Sequence, residues 1–167
     1  MHVLPNTELK SPSSRHHEGM KIPIKCSLMH DRPYAQFPRY QTEGSSGADL
    51  VAAPDKTITI NPLERALIPT GVVLEIPEGY EGQVRPRSGI SLRDGAIVVL
   101  GSIDSDYRGE IRIIVINLGS DPFAVVPGMR LAQLVINPVV QGDFEPTPEG
   151  HLSPTMRGIN GFGSTGV

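Results

Sequence analysis

The sequence contains no tryptophan, a single cysteine and few aromatic residues of any kind. Cys26 has no partner for an internal disulfide, and neither CxxC nor a Cys/His ligand spacing occurs. This favours a reducing compartment and excludes a structural zinc site of the usual kind. No apolar run approaches ~18 residues and the start of the chain is polar, so neither a membrane span nor a secretory signal is expected. The expected location is the cytoplasm. A formal net charge of -3 provides no electrostatic footprint for non-specific nucleic-acid binding. Lysine is absent after Lys56, and every later Lys/Arg position is arginine. Arginine offers a planar fork matched to phosphate oxygens, which suits an anion site; a compositional bias toward arginine accounts for it equally well.

Glycine and proline are abundant, at 18 and 16 of 167 residues. Both interrupt long helices, and short apolar runs lie between them, so the expected class is all-β with many short strands joined by turns. The length suits one domain with a real core. Residues 1–19 mix Pro, Ser, His, Glu and Lys without periodicity and are expected to be a disordered extension, with His16 and His17 solvated. Residues 20–144 are the expected β domain, and 145–167 a flexible linker with a Gly-rich lid.

Lys21 to Leu28 alternates apolar and polar residues around Pro23, as an edge strand does. Strands are expected at Thr57–Ile60, Ala66–Pro69, Val72–Ile76, Ala96–Leu100, Ile111–Asn117, Phe123–Val126 and Leu131–Val140, with Pro69-Thr70-Gly71 as a turn. One short helical turn is expected from Ser88 to Arg93. Ile111 to Ile116 is apolar on both faces, which fits burial against other copies of the chain or within its own sandwich.

Five polar stretches interrupt this scaffold. Gly44 to Ala53 is a small-residue turn delivering Asp49 to a strand start, where the carboxylate either caps the turn or holds a hydrated Mg²⁺. Arg87, Ser88 and Gly89 form either a surface turn or three successive phosphate-compatible groups: a fork-shaped cation, a hydroxyl and an N–H that glycine lets come close. Gly101 to Glu110 gathers Asp104, Asp106, Tyr107 and Arg108 in a turn that is either a solvated hairpin or, directly before an apolar strand, a rigid place to hold a reactive group. Gln133 is one amide within an apolar strand, satisfied by local backbone or facing a polar ligand. Finally, Arg157 to Val167 is glycine-rich and cannot form a core. It reads as a lid in which Phe162 lies on a flat ring while Gly163, Ser164 and Thr165 donate to a terminal phosphate.

Taken in order, Gly47-Ala48-Asp49-Leu50, Pro86-Arg87-Ser88-Gly89, Gly101 to Glu110, Gly128 to Leu134 and Arg157 to Gly166 closely resemble the five blocks of the trimeric dUTPases, over about residues 21–167. The resemblance implies a distorted jelly-roll or β-clip barrel of short, mostly antiparallel strands with at most one short helix. It also implies hydrolysis of dUTP to dUMP and pyrophosphate with Mg²⁺, serving nucleotide-pool sanitation and dUMP supply, in a homotrimer whose active sites are shared between subunits. By the same resemblance Asp104 is the catalytic base that activates the water attacking the α-phosphorus, and Asp49 holds the metal through water. Arg87, Ser88, Gly89 and Gln133 bind phosphate, Arg112 contributes to substrate binding, and Gly101, Ser102 and Ile103 read the uracil edge. Tyr107 packs on the deoxyribose and excludes a 2′-hydroxyl, while Arg157 and Phe162 to Thr165 form the lid. Where many relatives have an Asn in the uracil hairpin this chain has Val98-Val99-Leu100, so uracil reading falls on backbone groups alone. Two rivals follow from the same residues: a dCTP deaminase-like enzyme of the same fold, and a non-catalytic nucleotide-binding module.

Overall fold

A computed structural model describes residues 21–161. The expectations for residues 1–19 and for Phe162, Gly163, Ser164 and Thr165 lie outside the described residues. Ten strands and one helix follow in the order β1 (Lys25–Leu28), β2 (Ala48–Val51), β3 (Ile58–Ile60), β4 (Arg65–Glu75), β5 (Tyr80–Pro86), α1 (Ser88–Asp94), β6 (Ala96–Val98), β7 (Gly101–Ile103), β8 (Ile111–Asn117), β9 (Phe123–Val125) and β10 (Arg130–Pro138). The all-β expectation with one short helix holds, and every strand pair is antiparallel.

Two four-stranded sheets, in the orders β1-β4-β8-β6 and β2-β10-β5-β7, enclose the core, and β3 pairs with β9 beside them. Leu50, Val84 and Leu131 from one sheet meet Ile68, Val72, Ile111, Ile113 and Val115 from the other, all essentially shielded from water. Burying each such side chain contributes roughly 1.5–3 kcal/mol relative to exposure, so this aliphatic layer holds the sheets together without tryptophan. β1 is an edge strand, in keeping with the alternating stretch from Lys21 to Leu28, whose Pro23 lies just before the observed strand.

The turn expected at Pro69-Thr70-Gly71 is instead a bulge inside one strand, β4, where the register against β8 shifts between Pro69 and Val72. Two contacts from distant residues absorb the turn chemistry. Thr70 Oγ1 donates to the Ile111 carbonyl (2.5 Å), and the Gly71 N–H donates to Glu110 Oε1 (2.9 Å). Gly71 sits at φ 68°, where a side chain would be strained and would also strike Arg32 and Ala35. The stretch from Gly101 was likewise not all turn: its first three residues are a strand of the second sheet.

β8 has one face in the core, through Ile111, Ile113 and Val115, and an opposite face that the described residues leave open. There Ile114 (43% exposed) lies across from Leu67 (51% exposed), so self-burial does not explain the two-sided apolar pattern.

Leu63 is the one described non-glycine residue at positive φ (66°), and its side chain is 82% exposed at the Asn61–Glu64 turn. Relieving left-handed strain returns about 1–2 kcal/mol, and glycine's extra unfolded-chain freedom takes back about 0.5–1. Leu63→Gly is therefore expected to raise stability by roughly 0.5–1 kcal/mol, measured as a higher thermal midpoint. An unchanged or lower midpoint contradicts the strain argument.

Candidate active site

Asp49 leaves β2 opposite Gln133 of β10, and its side chain is 10% exposed. A carboxylate this shielded needs compensating charge. Two arginines supply it: Arg87 Nε stands 3.3 Å from Oδ1 and Arg130 Nη1 stands 3.3 Å from Oδ2. Arg87 is further fixed by donating from Nη1 to the Arg130 carbonyl (2.6 Å). Gln133 Nε2 donates to the Pro86 carbonyl (2.9 Å), which anchors the end of β5 just before Arg87. Gly47 makes this packing possible, because a Cβ there would come within 2.5 Å of Gln133 Oε1. The amide thus bonds the backbone of the neighbouring strand, 47 residues away in sequence rather than local, and also borders the adjoining cavity.

That cavity, of about 460 Å³, is lined by Arg87, Ser88, Gly89, Met129, Arg130 and Gln133 among others. Ser88 and Gly89 open α1 and are exposed, and a Cβ on Gly89 would meet nothing within 4 Å. The chain's own packing does not demand that glycine; an approaching ligand would. Arg130, which the sequence reading left without a role, is the second cation at Asp49. Its partner lies 81 residues away, so the only sequence signal was its position three residues before Gln133.

A second cluster lies elsewhere on the same sheet. β7 pairs with β5 so that Gly101, Ser102 and Ile103 face Val84, Gln83 and Gly82. Asp104 follows at the strand end, exposed to solvent. Tyr107, 44% exposed, turns back through a hydrogen bond from its N–H to the Asp104 carbonyl (3.1 Å) and from its hydroxyl to the Glu110 carbonyl (3.0 Å). Arg112 projects from the outer face of β8 and donates from Nε to Glu110 Oε2 (2.8 Å), facing neither the cavity nor Asp104. Arg157 is exposed in the irregular segment after β10 and donates from Nε to the Asn160 carbonyl (2.9 Å).

The two clusters occupy opposite ends of β5. Ile103 stands opposite Gly82, so Asp104 extends toward Glu81, six residues before Arg87. At ~3.3 Å per residue about 20 Å of sheet separates them. Asp49, Arg87, Ser88, Gly89, Gln133 and Arg130 come together; Asp104 and Tyr107 stand apart from them within one chain.

The blocks, their order and this geometry match a known family. The family model described as dUTPase matches residues 33–166, which spans both clusters. The chain belongs to the dUTPase family. It is 54% identical over 134 residues to the deoxyuridine 5′-triphosphate nucleotidohydrolase of Chlamydia pneumoniae, covering 79% of this chain and 92% of that protein. It is 50% identical over 135 residues to the same-named protein of Rhizobium johnstonii, covering 78% of this chain and 85% of that one. Among solved structures, a Staphylococcus bacteriophage 80alpha dUTPase variant with dUpNHpp superposes with a TM-score of 0.79 at 27% identity, over 88% of this chain and all of that one. A phage phi11 dUTPase variant whose structure concerns coordination of a structural Mg(II) ion superposes with a TM-score of 0.70 at 25% identity, over 78% of this chain and all of that one.

Proposed function

We propose that this dUTPase hydrolyses dUTP to dUMP and pyrophosphate, with active sites assembled between copies of the chain. The observation that carries the reading is the family match over residues 33–166, which includes the phosphate-compatible cavity and the Asp104 loop alike. Arg87, Arg130, Ser88, Gly89 and Gln133 hold phosphate oxygens, their positive charge and donors offsetting the triphosphate. The backbone of Gly101 to Ile103 reads uracil, and Tyr107 rejects a 2′-hydroxyl. Asp104 accepts a proton from a water whose oxygen bonds to the α-phosphorus. The bond from that phosphorus to the bridging oxygen breaks, and pyrophosphate departs with the electron pair. Arg157, together with Phe162 to Thr165 outside the described residues, contributes to binding the nucleotide.

A base and the phosphorus it serves must meet through one water, with reacting atoms ~3–3.5 Å apart. The ~20 Å between Asp104 and Arg87 within one chain therefore supports sites completed by a neighbour. The open Leu67–Ile114 face supplies an apolar surface for that contact. A closed homotrimer satisfies both features, since each copy gives one cluster and receives the other.

Among the described residues no group of three or more His, Cys, Asp or Glu side chains converges, so a metal cage made of protein alone is not available there. Asp49 offers a single hard carboxylate whose oxygens already face guanidinium groups, beside a cavity suited to phosphates. That donor set fits a hydrated Mg²⁺ held mainly by phosphate oxygens and reached from Asp49 through water. When bound, the ion supplies charge neutralisation on the triphosphate. No described helix is long and apolar enough to cross a membrane.

The test is product release from a panel of deoxy- and ribonucleoside triphosphates. Pyrophosphate is expected from dUTP in preference to dCTP, dTTP and UTP, with a rate that falls at least about tenfold when Mg²⁺ is chelated. Ammonia from dCTP would establish the deaminase rival, and dUTP binding without turnover the non-catalytic one.

A further inference from the structure

Glu110 ends the Asp104 loop, and its side chain is only 5% exposed although it carries a charge. Both carboxylate oxygens are engaged. Oε1 accepts from the Gly71 N–H (2.9 Å) in the β4 bulge, and Oε2 accepts from Arg112 Nε (2.8 Å). Arg32 Nε, itself buried without a hydrogen-bond partner among the described residues, stands 3.7 Å from Oε1. An ion pair shielded in this way contributes little net stability compared with apolar packing of the same volume. What it does provide is a fixed position, since each partner constrains the carboxylate from a different direction: β4, β8 and the loop before β2.

The main chain of the same residue carries that position onward. The Glu110 carbonyl accepts the Tyr107 hydroxyl, and Tyr107 in turn donates its N–H to the Asp104 carbonyl. The ring lies so close over Gly109 that any Cβ there would overlap it. The loop is therefore cross-tied from Asp104 through Tyr107 to Glu110, and Glu110 is tied to the bulge in the other sheet. At its opposite end the loop is held by the pairing of β7 with β5.

We infer that Glu110 is a positioning residue for the reaction: its buried carboxylate clamps the Asp104–Tyr107 loop onto the β4 bulge, setting both the aim of the base and the wall that rejects ribonucleotides. This rests on the dUTP reading above. It also accounts for the Pro-Thr-Gly bulge, whose Gly71 N–H is the clamp's other half.

The experiment compares the wild-type assembly with Glu110→Gln and Glu110→Asp by pyrophosphate release from dUTP and from UTP, below the thermal midpoint of each variant. Glu110→Gln is expected to lower kcat for dUTP about tenfold and the dUTP-over-UTP preference by a similar factor, with KM for dUTP moving less than about threefold. Glu110→Asp keeps the charge one methylene short and should lose about threefold in each, which provides the readout if the glutamine variant fails to assemble. A purely structural role would lower the melting temperature and leave the substrate preference untouched. A folded variant of either kind with wild-type kcat and preference overturns the inference. Wild-type protein that releases no pyrophosphate from dUTP would instead remove the reading on which it stands.

Discussion

Replacing Asp104 with asparagine is expected to lower kcat about 10²–10⁴-fold while the affinity for a non-hydrolysable dUTP analogue changes less than about threefold. The carboxylate is exposed at the end of β7, so an isosteric amide opens no cavity and leaves the strand pairing with β5 intact. What disappears, on the proposed mechanism, is the group that takes the proton from water. Because the residues proposed to bind phosphate occupy the far end of β5, ground-state affinity should survive the change. Single-turnover kinetics beside equilibrium titration separate the two effects. A variant with wild-type kcat removes Asp104 from the role of base; one that loses binding and turnover in parallel makes it a ligand contact instead.

The second large effect comes from mixing inactive chains. Arg87→Gln removes one of the two cations that pair with Asp49 and line the cavity, and is expected to be as inert as Asp104→Asn when assayed alone. If one copy supplies Arg87 and its neighbour supplies Asp104, a trimer containing both variants regains intact sites. Random assembly of equal amounts places the two unmutated groups together in about a quarter of the sites. Denaturing the two proteins together and refolding them should thus restore roughly a quarter of wild-type activity, against a background near zero. A chain carrying both substitutions cannot rescue either one. Inert mixtures from folded trimers would mean that each chain completes its own site, and the ~20 Å separation along β5 would then have to close by rearrangement.

Much of this was legible in the sequence because the signals were local. Gly and Pro punctuation indicated short strands, the alternation around Pro23 marked β1 as an edge, and Ser88 to Arg93 lies within the only described helix. The phosphate-compatible run Arg87-Ser88-Gly89 and the Asp104 loop stood out as polar interruptions of apolar strands. The errors came from partners far away in the chain. Pro69-Thr70-Gly71 has every mark of a turn, yet a carboxylate 39 residues on from Gly71 accepts its N–H and keeps the strand continuous. Gly-Ser-Ile at 101–103 is too short for a period to show, and becomes a strand only because β5 is there to pair with it. Nor does any spacing reveal that Arg87 and Asp104 lie toward opposite ends of β5; that follows from the register of β7 against β5.

The uncovered strip formed by Leu67 and Ile114 sets a rule for dosage. In the proposed assembly a solitary newly made chain is at once adhesive and idle, for the same surface that invites neighbours is what brings it a working site. At scarce supply, output would fall more steeply than the amount of polypeptide, and extreme dilution would silence the protein while leaving each β-sandwich intact.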